Sequence, residues 1–153
     1  VLASHDDATL QHVDEAIEQG IEVAEFPTTF EAAKASKEAG LAVLMGAPNV
    51  VRGSSHSGNV AASELARHGL LDILSSDYIP FSLIQSAFCL GDMVEGITLP
   101  QAIRMVSTNP AKSSGLDDRG AISVGKRGDL VRVAVDHQIP IVRTVWREGR
   151  RVV

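Results

Sequence analysis

A unit of four parts recurs along the first half of this chain: a short apolar run, a polar turn, an amphipathic stretch, then a glycine. The first copy has Val1, Leu2 and Ala3, then Ser4, His5, Asp6 and Asp7, then a helical pattern carrying Leu10, Val13 and Ile17, closed by Gly20. The second has the strand 21–25, then Phe26, Pro27, Thr28 and Thr29, then a helix to Gly40; Thr28 and Glu31 have capping-box spacing. The third has the strand 41–45, a long Gly/Ser/Asn-rich loop, and a helix through Leu65 to His68 and Gly69. The fourth has the strand 70–74, then Ser75, Ser76 and Asp77, then a helix from about Phe81. Glycine just past each helix is the expected C-terminal cap. Short apolar strands alternating with helices predict an α/β chain with a parallel sheet.

The rest of the chain has another character. A helix is expected from Thr98, where Thr98 and Gln101 have capping-box spacing and Pro100 sits in the tolerant first turn. A short turn or helix is expected at Asn109, Pro110 and Ala111. Beyond Gly115, glycines 120, 125 and 128 punctuate a loop-rich stretch. Residues 130–135 and 141–147 then alternate with period two, with turns at Asp136, His137 and Gln138 and at Glu148 and Gly149. The expected organisation is residues 1–115 as a βα part and 116–153 as antiparallel β-structure of a small second domain.

With 153 residues the chain can bury a sizeable core, but it is too short for a complete eight-stranded α/β barrel, which takes roughly 250. Val1, Leu2 and Ala3 read as the tail of a buried strand, so the chain is expected to be a C-terminal piece of something longer; the alternative is a first strand that simply starts at residue 1. The net charge of −5, without a basic tract, argues against general nucleic-acid binding. No apolar run approaches the ~20 residues of a membrane span. One cysteine excludes an internal disulfide framework and suits a reducing, cytoplasmic setting.

In parallel α/β sheets ligands sit beyond the carboxyl ends of the strands. Those ends carry His5, Asp6 and Asp7; Glu25, Thr28 and Thr29; Asn49, Arg52, Ser54, His56, Ser57 and Asn59; and Ser75, Ser76 and Asp77. His5 has the chemistry of a divalent-metal ligand, the alternative being a histidine hydrogen-bonded at the rim. Asp77 suits a metal ligand that also takes a proton from metal-bound water; the alternative is an N-cap aspartate. Glu25 is a ligand, an orienting group or a salt-bridged rim residue. The loop 46–59, GAPNVVRGSSHSGN, exposes backbone N–H groups, carries Arg52 and runs into a helix. That combination suits phosphate, with no Walker A pattern present. The alternative is a long polar loop without a ligand. Cys89 reads as a core thiol, His12, His68 and His137 as solvated, Trp146 as packing, and Arg147, Arg150 and Arg151 as a solvated end.

The runs LASHDD (2–7), EFPTT (25–29), MGAPNVVRGSSHSGN (45–59), LSSDYIP (74–80), NPAKSSGLDDRGAISVGKRGDLVRV (109–133) and VRTVWREGRRV (142–152) occur in that order. Together they resemble the C-terminal part of the PhnM-type diphosphatases of the bacterial carbon–phosphorus lyase pathway, within the amidohydrolase superfamily. The resemblance covers nearly the whole chain. It implies the C-terminal half of a TIM-barrel-like metal-dependent hydrolase, equivalent to strands 5–8, plus strands of a small composite β domain. The implied reaction is hydrolysis of ribose 1-methylphosphonate 5-triphosphate to the 5-phosphate and pyrophosphate. The implied cofactor is zinc or manganese, one or two ions in the intact enzyme.

By this resemblance His5 is the metal ligand after strand five. Asp77 is the aspartate after strand eight, both ligand and base. Glu25 stands where the superfamily often has a metal-binding histidine, and His56 either substitutes for that ligand or holds phosphate. Arg52, Ser54, His56, Ser57, Asn59, Thr28 and Thr29 become substrate-binding candidates. Gly128 stands where many relatives have Ala. The superfamily's His-x-His and its carboxylate or modified lysine would lie upstream of Val1, so the chain carries part of the metal site. An open half-barrel would expose apolar edges, so a homo-oligomer, a rearranged packing or a need for the missing N-terminal half is expected. The partner otherwise implied is a phosphorylated small molecule, with neither nucleic acid nor membrane. Two other readings stand beside this one: an amidohydrolase acting on C–N bonds, and a non-catalytic fragment.

Overall fold

The computed structural model describes residues 1–55 and 57–153. Strands β1 (Ala3–His5), β2 (Val23–Glu25), β3 (Ala42–Gly46) and β4 (Ile73–Ser75) form one parallel sheet in chain order. The register sets His5 beside Glu25, Glu25 beside Leu44, and Gly46 beside Ser75. All four carboxyl ends therefore lie at one edge. The connections run through α1 (Leu10–Glu18), α2 (Phe30–Glu38), α3 (Ala47–Arg52) and α4 (Ala62–Arg67). After β4 come α5 (Ser82–Met93), α6 (Leu99–Met105) and α7 (Thr108–Ser113).

Strands β2, β3 and β4 all start later than the sequence pattern suggests, because the glycine caps use the first apolar residues. Gly20, Gly40 and Gly69 all adopt positive φ. The next amide then reaches back to the helix: Ile21 N to Ala16 O (3.0 Å), Leu41 N to Ser36 O (2.9 Å) and Leu70 N to Leu65 O (2.9 Å). This is the Schellman pattern, whose closing apolar residue seals the helix end instead of joining the sheet. His5 is the last residue of β1, not a residue beyond it.

Two local expectations need correction. The cap of α2 is Thr29, whose hydroxyl accepts from Ala32 N at 3.1 Å; Thr28 and Glu31 do not form the capping box. The first half of the loop 46–59 is helical, as α3, with Pro48 in its first turn and Gly53 ending it at φ 84°. At α6 the expected cap is present: Gln101 Oε1 accepts from Thr98 N (2.8 Å) and from Thr98 Oγ1 (2.6 Å).

The main core joins β3 and β4 to α4, α5 and α6 through Val43, Met45, Leu65, Leu74, Leu90 and Ala102. Burying each of these side chains except that of Ala102 contributes about 1.5–3 kcal/mol. Asp72, just before β4, accepts from Val43 N at 3.0 Å and pairs with Lys37, while Asn109 Nδ2 donates to Asp72 O at 2.8 Å. One carboxylate thus ties α2, β3 and the start of β4, and α7 joins through the adjacent carbonyl.

The C-terminal residues form a separate antiparallel sheet of β5 (Leu130–Asp136), β6 (Ile139–Arg147) and β7 (Arg150–Arg151). Both expected turns are two-residue hairpins with positive φ throughout, His137–Gln138 and Glu148–Gly149, the arrangement that matches strand twist. Gly128 meets the second hairpin: it accepts from Gly149 N at 2.9 Å, and a β-carbon at Gly128 would stand 2.9 Å from that nitrogen. Val131, Val135 and Val142 share one face of this sheet by register and are exposed. An apolar groove of about 1170 Å³ runs between β5–β6 and the Phe81, Ile84 and Ile103 side chains. At the other end Val1 and Leu2, leading into the edge strand β1, are also exposed. Among the described residues no helix is long and apolar enough to cross a membrane.

Candidate functional site

Three of the four parallel strands leave the sheet through a left-handed, non-glycine residue. Asp6 follows β1 at φ 61°, Phe26 follows β2 at φ 55°, and Asp77 stands just past β4 at φ 49°. Such conformations cost of order 1 kcal/mol or more and persist only where the surroundings enforce them. Here the sheet ladder enforces two: Asp6 N donates to Glu25 O (3.0 Å), and Phe26 N to Leu44 O (2.9 Å).

At the β1–β2 end, His5 Nδ1 lies 3.1 Å from Asp6 Oδ2, and Nε2 lies 4.0 Å from Glu25 Oε2. The imidazole also stands edge-on to Phe26, with centroids 5.4 Å apart. A carboxylate on one ring nitrogen favours the tautomer whose other nitrogen carries a lone pair. His5 and Glu25, two of the expected ligands, are thus brought together. Asp7 plays another part: it is buried, takes the Ser4 hydroxyl at 2.5 Å, and its carbonyl accepts from Thr28 N at 2.8 Å.

At the β3–β4 end, a cavity of about 120 Å³ is lined by Asp77, Tyr78, Asn49, Ser55, Ser57 and Asn59, and also by Asp6. The sheet curls enough for residues following β1 and β4 to face one space. Asp77 is not an N-cap, because α5 begins only at Ser82. Its carboxylate packs against Gly46, where a β-carbon would stand 2.9 Å from Oδ2. Asn49 Oδ1 accepts from Ala62 N at 3.0 Å, which fixes the loop between α3 and α4.

The remaining expected site residues divide. Ser57 and Asn59 line the cavity; Ser54 is exposed and does not. Arg52 ends α3 and donates from Nη2 to the Tyr78 hydroxyl at 2.5 Å. Thr28 and Thr29 hold loops together: Thr29 Oγ1 donates to Ala8 O at 3.0 Å while capping α2, and Thr28 O accepts from Val60 N at 3.0 Å. His56 lies outside the described residues. Ser55 and Tyr78 were not singled out from the sequence. Tyr78 directly follows Asp77, and that adjacency is the signal that would have found it.

Away from this edge, Cys89 packs against the core, and burial first, then the Asp92 charge, push its thiol up from the ordinary value. His12 Nδ1 accepts from Ala8 N at 3.1 Å, and His68 lies edge-on to Phe30. Trp146 lies within β6 and lines the apolar groove.

Comparison with known proteins follows this geometry. The amidohydrolase family profile Amidohydro_3 matches residues 4–153. The alpha-D-ribose 1-methylphosphonate 5-triphosphate diphosphatase of Escherichia coli K12 is 57% identical over 99% of this chain and 40% of its own length. A dihydroorotase of Methanopyrus kandleri is 29% identical over 66% of this chain and 27% of its own length. The chain therefore spans at most about two fifths of these relatives. An amidohydrolase structure from Thermotoga maritima superposes with TM-score 0.74 at 25% identity, over 99% of this chain and 43% of that one. An enamidase structure gives 0.75 at 18% identity, over 99% and 47%. The parallel sheet with its helices is thus part of a βα barrel, the antiparallel sheet a separate small β unit, and the chain belongs to the amidohydrolase family.

Proposed function

We propose that this chain forms the C-terminal part of a cytoplasmic, metal-dependent diphosphatase of phosphonate catabolism. The whole enzyme would hydrolyse ribose 1-methylphosphonate 5-triphosphate to the 5-phosphate and pyrophosphate. The observation that carries this reading is the 57% identity, across nearly every residue of the chain, to an enzyme of that name. Residues 1–115 would supply barrel strands 5–8, and residues 116–153 would supply strands of the small β domain. The exposed valine face and the open β1 edge would be covered by the rest of the enzyme or by a second copy.

The amidohydrolase superfamily is generally metal-dependent. The donor types at the strand ends fit part of such a site: one imidazole nitrogen of His5 with the Glu25 carboxylate beside it, and the Asp77 carboxylate beyond β4. Among the described residues no three His, Cys, Asp or Glu side chains stand together as a metal site, so further ligands would come from the rest of the enzyme. One or two zinc or manganese ions would lower the pKa of a bound water towards ~7.

The chain's own residues then have distinct tasks. Asp6, against His5 Nδ1, keeps the imidazole in the tautomer that presents Nε2. Asp77 accepts the proton of the attacking water on its carboxylate. Ser57 and Asn59 offer hydrogen-bond donors inside the cavity, and Arg52 offers its remaining guanidinium donors to phosphoryl oxygens. Charge building on the departing pyrophosphate is offset by these donors.

The similarity to a dihydroorotase favours a second reading, C–N hydrolysis at the same strand ends. The test is ³¹P NMR of the full-length enzyme with the ribose triphosphate. Pyrophosphate and 5-phosphate signals are expected. Orthophosphate as the product, or no turnover of this substrate alongside hydrolysis of dihydroorotate, would overturn the proposal.

A further inference from the structure

We propose that Asn49 is a substrate-binding residue: its side-chain oxygen caps α4, and this commits its Nδ2 amide to the Asp77 cavity as a hydrogen-bond donor for a phosphoryl oxygen. The inference rests on the reading of that cavity as the place where the triphosphate is hydrolysed, and adds to it a donor that serves fold and site at once.

Helix α4 begins after Ala61, which has no side-chain oxygen to meet the first helical amides. Asn49 supplies one from thirteen positions upstream: Ala62 N donates to Asn49 Oδ1 at 3.0 Å. That contact fixes which way round the side chain sits. A backbone N–H is a donor, and only the carbonyl branch of an asparagine accepts. The backbone beneath is held as well. Asn49 lies in α3 between Pro48 and Val50, both buried, and the helix stops at Gly53.

The side-chain amide is planar, so anchoring Oδ1 also anchors Nδ2 on the opposite branch. Among the described residues nothing accepts from Nδ2. It is not sealed in the interior either, because the one buried side-chain nitrogen or oxygen without a partner among those residues is Arg127 Nε. Asn49 lines the same cavity as Asp77, and Nδ2 is the side-chain polar atom it has left for a ligand there.

The other polar groups around the cavity differ. Asp6 and Asp77, as carboxylates, only accept. The Ser55 and Ser57 hydroxyls lie 3.1 Å apart and bond each other. Asn59 is exposed, and among the described residues no hydrogen bond orients its amide. Asn49 is thus a donor set in place before a ligand arrives, the condition under which a hydrogen bond to developing charge needs no reorganisation. A cap alone would be served equally well by aspartate. What the amide adds is the donor, without a third negative charge beside Asp6 and Asp77.

The test compares Asn49→Asp and Asn49→Ala in the full-length enzyme, with kcat/KM for the ribose triphosphate and a melting curve for each. Asn49→Asp keeps the oxygen that caps α4 and loses the donor. Asn49→Ala loses both and adds no charge. Both should lose kcat/KM by about 10–100-fold, the scale of a hydrogen bond to a charged group. Only Asn49→Ala should melt lower, by a few degrees, as a missing cap requires. Full turnover in Asn49→Asp, with only Asn49→Ala impaired, would reduce Asn49 to a helix cap and overturn the donor. Normal turnover in Asn49→Ala would overturn it too, since a loss confined to the aspartate would then come from its added charge. Equal melting losses in the two variants would show that Oδ1 is not the cap and that nothing anchors the amide, which also overturns the proposal. All three results leave the diphosphatase reading standing. An unsubstituted enzyme that does not hydrolyse the triphosphate overturns that reading, and this inference with it.

Discussion

Asp77 and Gly46 are in contact across the ends of β4 and β3, so close that a β-carbon on Gly46 would stand 2.9 Å from Asp77 Oδ2. Gly46 has ordinary extended angles, φ −72° and ψ 130°, so its lack of a side chain is not required by its backbone. It is required by the carboxylate. Gly46→Ala should therefore leave the fold intact, with melting within a few degrees of the parent, and displace Asp77. Displacing a catalytic group by about 1 Å costs up to about 10²-fold in rate, so turnover of the ribose triphosphate by the full-length enzyme should fall by at least tenfold. Unimpaired turnover would show that the position of Asp77 is irrelevant to the chemistry.

Asp77→Asn tests the proton-accepting role directly. The amide keeps the size and loses the base. Turnover should drop by about 10²–10⁴-fold, the usual contribution of a positioned general base, with metal content measured by elemental analysis largely retained. An active variant would remove Asp77 as the base.

At the other end of the sheet, His5 and Asp6 should separate into ligand and orienting group. His5→Ala should abolish stoichiometric uptake of zinc or manganese. Asp6→Asn should bind metal about 10–100-fold more weakly, the usual effect of removing a partner that orients a ligand. Equal metal binding in all three proteins would exclude this strand end from the metal site.

The βα rhythm was legible because burial repeats with a period, and the Gly20, Gly40 and Gly69 caps mark it in the sequence. What those caps hide is where a strand begins: Ile21, Leu41 and Leu70 look like strand residues and instead close helix ends. Helix α3 was illegible because Gly46, Pro48 and Gly53 carry the signature of a loop, although proline is tolerated in a first helical turn. Of the candidate site residues, His5, Glu25 and Asp77 lie at the strand ends as expected, since that location follows from topology alone. Thr28 and Thr29 share that location yet use their hydrogen bonds on loops and a helix cap, which composition does not reveal. Tyr78 is marked in the sequence by its adjacency to Asp77, but its bond to Arg52, twenty-six positions away, is not legible there.

Acid should weaken the charged cluster beside the second hairpin. The Asp118 carboxyl is held below the usual range chiefly by the hydrogen bond from the Arg119 side chain. That of Asp129 is held down chiefly by the Glu148 backbone N–H, with Arg127 adding to it. A carboxyl depressed in the folded state stabilises it above the unfolded pKa of about 3.9, and that contribution is lost as pH falls through the folded value. Asp129→Asn should therefore lower the melting temperature slightly at pH 7 and flatten its decline below about pH 4. Parallel melting profiles of parent and variant from pH 7 to 2.5 would show that this carboxylate has no part in acid stability.

Cys89 should behave as an inert core thiol. Burial and the nearby Asp92 charge both raise its pKa, so the reactive thiolate is scarce near neutral pH. Reaction with a disulfide reagent such as DTNB should be slow at pH 7.5, accelerate as pH rises, and approach the rate of a free thiol in urea. Asp92→Asn removes the second cause while leaving burial in place, so it should speed the native reaction only modestly. A native rate equal to that of a free cysteine would mean that α5 opens readily and that the core packed around Leu90 is far less secure than its burial indicates.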